Sequence, residues 1–403
     1  MKDFMETALD IAYSRMGRTS PNPAVGAVIV KDGAVISTGG TAAYGGPHAE
    51  AEAIRAALDR GISLKGAEIY VSLEPCGHYG KTPPCAMAIR DAGIGRAHIA
   101  LMDPNPLVSG SGARILKEGG VDVVFEKEYS ESAYDLIRPF EKYIRQKKPF
   151  IVYKSAVTLD GRTASIKGDS KWISSSLSRC LVHRMRSKVD AVIVGKNTLF
   201  SDNPSLNVRL DEFEQEAAFF AENTINVSGR ENGFINRLMR AKDETPGDPL
   251  RVIIGLNAGV AEDAHVWDGG NYLVFETEDN YARLLEENPA KRDFLRNLNI
   301  FFISGSREER VEAALRELGR RGIMFAMLEG GAALAGSFFD SGNIDQFLYF
   351  IAPVLAGAGR PSVDGQGTDF MADAARLFDI SSAMISDDIL FCGYRNDKCL
   401  QDL

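Results

Sequence analysis

The sequence contains few of the features that mark a secreted or membrane-embedded protein. Only five cysteines occur in 403 residues, and an odd, sparse set is typical of a reducing compartment rather than of a disulfide framework. No apolar run reaches the length of a membrane-spanning helix. The first residues, MKDFMETALDIAYSRMG, carry early acidic side chains and lack the basic and apolar segments of a signal peptide. We therefore expect a cytoplasmic protein without a membrane partner.

Positive charge is also scarce. The chain has 46 Lys and Arg residues against 55 Asp and Glu residues, and its formal net charge is −9. A nucleic-acid-binding protein normally carries a basic face, so this balance argues against a nucleic-acid partner. It remains compatible with a small phosphorylated substrate, which needs only one or two local cations. The hydrophobic fraction of 45% is that of a globular protein, and the length allows two or three domains.

Two stretches of alternating helix and strand signals predict two α/β domains. In residues 1–126, PAVGAVIV and AVIST flank the Asp32–Gly33 turn and predict a β-hairpin, AEIYVSLE and RAHIALM predict buried strands, and HAEAEAIRAAL and CAMAIRDAG predict helices. This pattern favours a small three-layer α/β domain. Residues 127–148 predict a helical linker. A second alternation fills residues 149–403, with predicted strands at FIVYKSAVTLDGR, DAVIVG, LRVIIG, NYLVFET, NIFFISG, IMFAMLEGG, IDQFLYFIAPVL and DDILFCGYR. Residues 211–248 are long for a connection between strands and predict an ordered helical insertion.

The stretch EPCGHYGKTPPC places Cys76 and Cys85 directly after prolines. Each cysteine is predicted at the start of a helical turn, where backbone N–H groups favour a thiolate. His48 and Glu50 lie in an HAE segment that opens another helix. One imidazole and two thiolates leave an open position on a tetrahedral zinc ion, which is typical of a catalytic site. The pattern is similar to that of the zinc nucleobase deaminases, except that eight residues separate the cysteines here.

Two other interpretations stay open on these residues. A non-enzymatic zinc-stabilised protein would need a fourth protein ligand, and only His78 is unassigned near the motif. A nucleic-acid or nucleoside deaminase with an accessory C-terminal domain would carry a basic stripe around its pocket. Outside the motif, Cys392 and Cys399 have no metal-binding partners. Cys180 and His183, three residues apart on a predicted helix, are interpreted as packing and surface residues.

The second half carries weaker local signals. LEGGAALAG predicts a strand, a turn on Gly330 and Gly331 and then a helix, which would let a phosphate approach the backbone. The dinucleotide fingerprint G-x-G-x-x-G is absent from this turn. Trp172 lies in a polar turn, where an exposed aromatic side chain often packs on a ligand. These residues alone predict only an α/β domain compatible with nucleotide binding.

An ordered set of motifs carries more information than any of them alone. The set comprises TSPNPAVGAVIV, HAEAEAI, EPCGHYGKTPPC, DPNP, KSAVTLDGRTA, SKWISS and LEGGAALAGSF. It resembles the bifunctional deaminase–reductase family of riboflavin biosynthesis over almost the whole chain, excluding residues 211–248 and the last few residues. One departure from the family pattern is Asn203, where a second Asp is common.

The resemblance implies two folds and two reactions. An N-terminal cytidine-deaminase-like three-layer domain would use Zn²⁺ to deaminate 2,5-diamino-6-ribosylamino-4(3H)-pyrimidinone 5′-phosphate hydrolytically. A C-terminal dihydrofolate-reductase-like domain would use NADPH to reduce the ribosyl group to ribityl. The implied partners are this small phosphorylated pyrimidine and further copies of the same chain in a homo-oligomer.

The resemblance also implies the site residues. The zinc ligands are His48, Cys76 and Cys85, and Glu50 is the proton shuttle. The substrate contacts of the first domain are Asn22, Lys81 and Asn105. Those of the second domain are Lys154, Ser170, Arg186, Leu206, Arg209 and Glu329, with Asp160 bordering the same pocket. The NADPH contacts are Ala156, Trp172, Thr198, Asp202, Gly331, Ala332, Ala333, Leu334, Ala335, Gly336 and Ser337. Arg186 and Arg209 are expected to bind phosphate, because a guanidinium fork suits phosphate oxygens.

Overall fold

The computed structural model of the chain describes residues 3–79, 83–106, 108–229, 233–240 and 247–395. These residues form two compact units. The first contains residues 3–146 and 233–240, and the second contains residues 147–229 and 247–395. Each unit has its own sheet.

The first unit is a mixed sheet with helices packed on it. Its strands are β1 (Gly26–Lys31), β2 (Ala34–Gly40), β3 (Glu68–Val71), β4 (Arg96–Ile99) and β5 (Asp122–Phe125). Its first five helices are α1 (Phe4–Arg15), α2 (Ala49–Leu58), α3 (Cys85–Asp91), α4 (Ser111–Glu118) and α5 (Ser130–Gln146), with a 3₁₀ turn at Lys127–Tyr129. The strand order is β2-β1-β3-β4-β5. Strand β1 is antiparallel to β2 and β3, whereas β3, β4 and β5 are parallel.

The predicted hairpin and the position of α2 both depend on local backbone chemistry. Asp32 and Gly33 adopt positive φ angles of 50° and 75°, as a tight hairpin turn with the right twist requires. A Cβ atom at Gly39 would lie 2.2 Å from the carbonyl oxygen of Ala49. Helix α2 therefore rests directly on the backbone of β2, and this contact places the helix start that carries the predicted metal ligand.

Helix α5 occupies most of the segment that the sequence predicts to be a linker. Every side chain from 133 to 140 is buried, including the ion pair between Asp135 and Arg138, whose side chains are 3% and 7% exposed. The guanidinium of Arg138 also lies 4.5 Å from the ring centre of Tyr134. The helix itself is thus as predicted, but it contributes to the core of the first unit.

The second unit contains a main sheet of ten strands and a separate pair of short antiparallel strands, Arg162–Ala164 and Arg360–Pro361, over the described residues. Its strands are β6 (Phe150–Thr158), β7 (Arg162–Ala164), β8 (Ala191–Gly195), β9 (Val227–Ser228), β10 (Leu250–Ile254), β11 (Tyr272–Glu276), β12 (Ile300–Phe302), β13 (Phe325–Leu328), β14 (Gln346–Ala352), β15 (Arg360–Pro361), β16 (Phe378–Ile385) and β17 (Asp388–Tyr394). The remaining helices of the chain are α6 (Ser176–Arg186), α7 (Lys196–Asp202), α8 (Glu214–Glu222), α9 (Phe234–Arg240), α10 (Glu278–Glu287), α11 (Arg292–Asn297), α12 (Arg307–Arg320) and α13 (Ala332–Asp340). Of these, α9 belongs to the first unit.

The strand order in the main sheet is β12-β11-β10-β8-β13-β6-β14-β17-β16-β9 over the described residues. The strands from β12 to β14 pair in parallel, and β17, β16 and β9 continue the sheet in antiparallel pairs. All five residues of β8 are buried, which explains its uniformly apolar sequence. Strand β16 was not predicted, because its alternation is weakened by Ser381 and Ser382. No helix in the described part of the chain combines the length and apolarity needed to cross a membrane.

The segment predicted as a helical insertion contains α8, β9 and α9, and residues 230–232 and 241–246 lie outside the described part. Helix α9 packs against α1 of the first unit. The side chain of Arg237 is 1% exposed and donates to the carboxylates of Glu6 and Asp10, at 2.9 and 2.5 Å. The ring of Phe234 lies 6.0 Å from that of Tyr13. This part of the insertion therefore has a defined structural partner that the sequence did not predict.

Candidate active sites of the two units

The three predicted zinc ligands lie together in the first unit. His48 is the N-cap residue of α2, Cys85 is the first residue of α3, and Cys76 lies in the irregular segment after β3. Nδ1 of His48 is 3.6 Å from Sγ of Cys76 and 3.4 Å from Sγ of Cys85. Bond lengths of about 2.3 Å to sulfur and 2.0–2.1 Å to nitrogen in a tetrahedral site separate such atoms by about 3.6 Å. The donor set therefore fits Zn²⁺.

The predicted helical turn at Cys76 is wrong. Its Sγ instead accepts a hydrogen bond from the backbone N–H of Cys85 at 3.2 Å, and its carbonyl accepts one from Ala86 at 3.2 Å. The start of α3 thus supports both cysteines. Hydrogen bonding by Cys85, reinforced by His48, lowers the pKa of Cys76 to about 4 although burial opposes ionisation. A thiolate, the form that binds metal, is favoured at this position.

Glu50 is the second residue of α2 and lies beside the ligand cluster. Its side chain is 3% exposed, and burial, with a further contribution from Cys76, raises its pKa to about 7. A carboxyl group with a pKa near neutrality can both accept and donate a proton at physiological pH. The structure thus gives Glu50 the environment that a proton shuttle needs.

A cavity of about 360 Å³ opens onto these residues. The predicted substrate contacts Asn22 and Asn105 line it together with His48, Glu50 and Cys76. Lys81, the remaining predicted contact, lies outside the described residues. Among the residues that the structure describes, His48, Cys76 and Cys85 form the only cluster with ligand geometry. His78 lines the cavity but does not join the cluster, so a site closed by four protein ligands is not supported.

Phe140 and Ile144 of α5 also line this cavity. They were not predicted, because the charged residues around them favoured a linker. A signal was present: Leu136, Phe140 and Ile144 recur every four residues and so share one face of a helix. The pattern indicated a buried face without indicating what it covers.

The second unit contains a buried ion pair between two predicted substrate contacts. Nε and Nη2 of Arg186 donate to the two carboxylate oxygens of Glu329, at 2.5 and 2.7 Å. The two side chains are only 12% and 9% exposed. Nη1 of Arg186 donates to the carbonyl of Asn207 at 3.2 Å. The guanidinium that was expected to bind phosphate is therefore engaged by protein groups, and it fixes the orientation of Glu329.

Lys154 and His183 interact electrostatically with Glu329 of this pair, and the backbone of Arg209 is hydrogen-bonded to His183. Burial lowers the pKa of Lys154, and Arg186 adds to this effect while Glu329 opposes it. Burial opposes ionisation of Glu329, but the Arg186 guanidinium holds its pKa below the ordinary value. The carboxylate is therefore charged, next to an amine whose charge is destabilised.

His183 was interpreted as one of a pair of packing and surface residues, and a surface position is wrong for it. Its side chain is buried, and its Nδ1 accepts the backbone N–H of Arg209 at 3.0 Å. Burial, followed by the charges of Arg186 and Arg209, lowers the pKa of His183 to about 3. The neutral ring therefore holds the backbone of Arg209. The Arg209 side chain donates to Glu212 at 3.2 Å and to Asn207 at 2.5 Å, but it is 34% exposed and keeps further N–H groups that can meet a phosphate.

The predicted NADPH contacts fall on several elements of the second unit. They are Ala156 on β6, Trp172 before α6, Thr198 and Asp202 on α7, and Gly331 to Ser337 at the start of α13. A Cβ atom at Gly331 would lie 3.3 Å from Oγ1 of Thr198, so α7 and the start of α13 are neighbours. Ala335 and Gly336 are buried, which leaves the other members of that run to offer surface to a cofactor.

The remaining predicted residues of this unit differ in exposure. Trp172 is 72% exposed, and the guanidinium of Arg179 lies 4.5 Å from its ring centre. Ser170 is partly exposed, whereas Leu206 is buried and has a φ of 55°. Asp160 accepts hydrogen bonds from Thr158 and from the backbone at 356 and 357, led by Thr158, which lower its pKa to about 2. Asp160 thus anchors a loop.

The chain matches two family models in series. Residues 1–101 match the cytidine and deoxycytidylate deaminase zinc-binding region, and residues 149–391 match the RibD C-terminal domain. The riboflavin biosynthesis protein RibD of Bacillus amyloliquefaciens is 35% identical over 391 residues, which cover 96% of this chain and 94% of the relative. The chain belongs to the RibD family. RibD of Escherichia coli (strain K12) is 33% identical over 376 residues, covering 93% and 94% of the two chains.

Two solved structures agree with this assignment. A diaminohydroxyphosphoribosylaminopyrimidine deaminase/5-amino-6-(5-phosphoribosylamino)uracil reductase from Thermotoga maritima has a TM-score of 0.76 at 30% identity, and 98% of each chain is covered. RibD of Acinetobacter baumannii gives a TM-score of 0.74 at 30% identity, with the same coverage. The predicted cytidine-deaminase-like and dihydrofolate-reductase-like folds are confirmed.

The RibD assignment establishes the class of enzyme. The chain is a bifunctional enzyme of riboflavin biosynthesis, with a deaminase domain and a reductase domain that use Zn²⁺ and NADPH. The alternative of a nucleic-acid deaminase with an accessory domain is not favoured, because the second match is a reductase domain. Helix α5 lies between the two matched ranges, although two of its side chains line the deaminase cavity.

Proposed function

We propose that the first unit deaminates 2,5-diamino-6-ribosylamino-4(3H)-pyrimidinone 5′-phosphate and that the second unit reduces the ribosyl group of the product to ribityl. The observation that carries the proposal is the placement of buried Glu50 beside His48, Cys76 and Cys85 in one cavity. The names of the Thermotoga maritima protein's two activities describe the same pair of reactions. This chain resembles that protein over nearly its full length.

In the first unit, His48, Cys76 and Cys85 would hold Zn²⁺, which when bound supplies a Lewis acid at its open position. Glu50 accepts a proton from the attacking water and delivers a proton to the departing amino group, which leaves as ammonia. Its pKa of about 7 allows the same carboxyl group to perform both transfers. Asn22 and Asn105 present amide donors and acceptors that can orient the pyrimidine. Lys81 is the proposed phosphate contact, because an ammonium group suits a single phosphate.

In the second unit, the chain's own residues bind and orient two ligands. Glu329, held by Arg186, and Lys154 face the ribosyl group, where the amine of Lys154 can donate a hydrogen bond to a hydroxyl. Arg209 is the proposed phosphate contact. Hydride transfer requires close and correct placement of the nicotinamide. The proposed cofactor contacts are Thr198 and the residues at the start of α13. We also propose Ala156, Trp172 and Asp202 as NADPH contacts, and Ser170 and Leu206 as substrate contacts.

The proposed partners follow from charge and exposed surface. A net charge of −9 favours a small-molecule substrate over a nucleic acid.

An exposed apolar strip supports a homo-oligomer. It consists of Ile380, Met384 and Ile389 on β16 and β17, which are 51%, 55% and 37% exposed. Light scattering during gel filtration tests the assembly, and Met384→Lys should dissociate it. The small and odd number of cysteines, five in the whole sequence, supports a cytoplasmic location, because such a set is typical of a reducing compartment.

One assay tests both activities together. The purified chain is given the diamino pyrimidine phosphate and NADPH, and ammonia release and NADPH oxidation are followed in the same sample. Equal amounts of ammonia and NADP⁺ are expected at completion. Ammonia release without NADPH oxidation would refute the proposed second reaction, and the reverse would refute the first.

A further inference from the structure

Glu74 is a buried carboxylate beside the metal centre that has no role in the proposed chemistry. It is 5% exposed and lies two residues before Cys76. Its Oε2 accepts hydrogen bonds from the backbone N–H groups of Gly110 at 2.9 Å and Asp103 at 3.3 Å. Its Oε1 accepts one from Ala113 at 3.0 Å. Both oxygens of the side chain are thus bound by backbone groups from one distant segment.

These hydrogen bonds join two segments that border the substrate cavity. Residues 74–77 include the metal ligand Cys76, and residues 103–113 include Asn105, whose N–H donates to Oδ1 of Asp103 at 2.8 Å. The segments also touch directly, since a Cβ atom at Gly112 would lie 1.8 Å from the carbonyl oxygen of Pro75. Asn105 therefore reaches the cavity on a loop that is held against the 74–77 segment.

A carboxylate is the group that this contact requires. Gly110 and Ala113 lie at the start of α4, where backbone N–H groups have no partner within the helix. Two acceptor oxygens can satisfy all three donors, and charge-assisted hydrogen bonds are stronger than neutral ones. An amide offers one acceptor and turns its NH₂ group toward at least one backbone N–H, which leaves that donor unpaired.

The metal ligand beside Glu74 is held by other contacts. Sγ and the carbonyl of Cys76 accept hydrogen bonds from the N–H groups of Cys85 and Ala86. Neither contact involves Glu74. Zinc binding and the position of Asn105 should therefore respond differently to a change at Glu74.

We infer that Glu74 is a positioning residue that holds the 103–113 loop so that Asn105 meets the substrate. It governs the affinity for the pyrimidine phosphate and leaves zinc binding and the hydrolytic step unaffected. The inference rests on the proposed deaminase function of the first unit.

The test uses Glu74→Gln in the full-length zinc-loaded enzyme. We expect KM for deamination to rise on the order of ten-fold, since one buried donor loses its partner, while kcat and zinc content stay within about two-fold. Hydrogen exchange should accelerate in peptides that cover residues 103–113 and stay unchanged in those that cover α2. Glu118→Gln is the matched control, because Glu118 is an exposed residue at the end of the same α4. It should leave both readouts unchanged.

A double-mutant cycle with Asn105→Ala separates positioning from a general structural effect. If Glu74 acts through Asn105, adding Glu74→Gln to the Asn105→Ala enzyme changes KM by less than about two-fold. An additive ten-fold rise would contradict the inference, as would loss of zinc from Glu74→Gln or unchanged exchange in residues 103–113. Any of these outcomes would refute the positioning role of Glu74 without bearing on the proposal that the first unit is a deaminase. Lack of deamination by the unaltered zinc-loaded chain would instead refute the proposed function.

Discussion

Arg186 and Glu329 form a two-pronged ion pair in the second unit, with N–O distances of 2.5 and 2.7 Å. The residues are 143 positions apart and connect the end of α6 to the turn after β13. The pairing gives Glu329 a fixed orientation and a fixed charge. It also distinguishes Arg186 from Arg209, although both were expected from the sequence to bind phosphate.

The first prediction distinguishes Arg186 from Arg209. Arg186→Ala leaves the buried Glu329 without its counter-ion, and loss of one partner of a buried pair destabilises a protein by about 3–5 kcal/mol. The second unit should therefore unfold at lower denaturant concentration, and reduction should be lost. Arg209→Ala should unfold as the unaltered chain does and should raise KM for the phosphorylated substrate of reduction. Denaturant melts and reductase kinetics of the two variants check this, and equal stability of both variants would contradict it.

A second prediction concerns pH and His183. Its pKa in the folded chain is about 3 and about 6.5 when unfolded, so the unfolded chain binds a proton that the folded chain excludes. The contribution to stability is complete above pH 6.5 and is lost as pH falls toward 3. At pH 5 the loss is about 2 kcal/mol.

The control for this effect is His183→Asn, which keeps an acceptor for the Arg209 N–H and removes the titrating ring. Its unfolding free energy should fall less than that of the unaltered chain between pH 7 and 5. The difference is measured by urea titration of both proteins at several pH values. Parallel curves would show that His183 does not titrate as the structure implies.

A third prediction concerns the wall that α5 adds to the deaminase cavity. Ile144→Ala removes part of this wall and should raise KM for deamination several-fold, with zinc content and reduction unchanged. Arg145→Ala, at an exposed neighbouring position, is the control and should leave KM unchanged. The same KM for both variants would mean that α5 does not contact the substrate.

A fourth prediction concerns the metal. The unaltered chain should bind about one zinc ion through His48, Cys76 and Cys85. Cys76→Ser and Cys85→Ser should each lose zinc in elemental analysis, whereas Cys180→Ser should retain it because Cys180 is buried in the second unit. Full retention of zinc by both of the first two variants would exclude the site.

Periodicity and turn chemistry predicted many of the elements that hold these sites. The apolar run of β8 and the Asp32–Gly33 hairpin were recognisable because the forces that form them act between neighbouring residues. Strand β16 was missed because its polar residues hide the alternation. Cys76 was misplaced because its surroundings are set by backbone hydrogen bonds from α3, beyond the reach of a local pattern.

The site residues divide in a similar way. His48, Glu50, Cys76 and Cys85 could be grouped by their chemistry, since metal binding restricts residue types strongly. The contacts of Glu74 with residues 103–113, and the place of Ile144 in the cavity wall, depend on how distant segments pack. The periodicity of α5 indicated an apolar face, but which segments such a face or a buried carboxylate meets is not encoded locally, and the structure revealed these contacts.

We propose that each unit carries its own complete site. Glu50→Gln preserves the shape of the side chain and removes its ability to shuttle protons, which is worth about 10²–10⁴-fold in rate. The decisive measurement supplies zinc-loaded Glu50→Gln with the diamino substrate and, separately, with deaminated substrate and NADPH. Deamination should fall by that factor while NADPH oxidation on deaminated substrate proceeds at the normal rate. A folded variant with normal zinc content that also fails to oxidise NADPH would contradict the account.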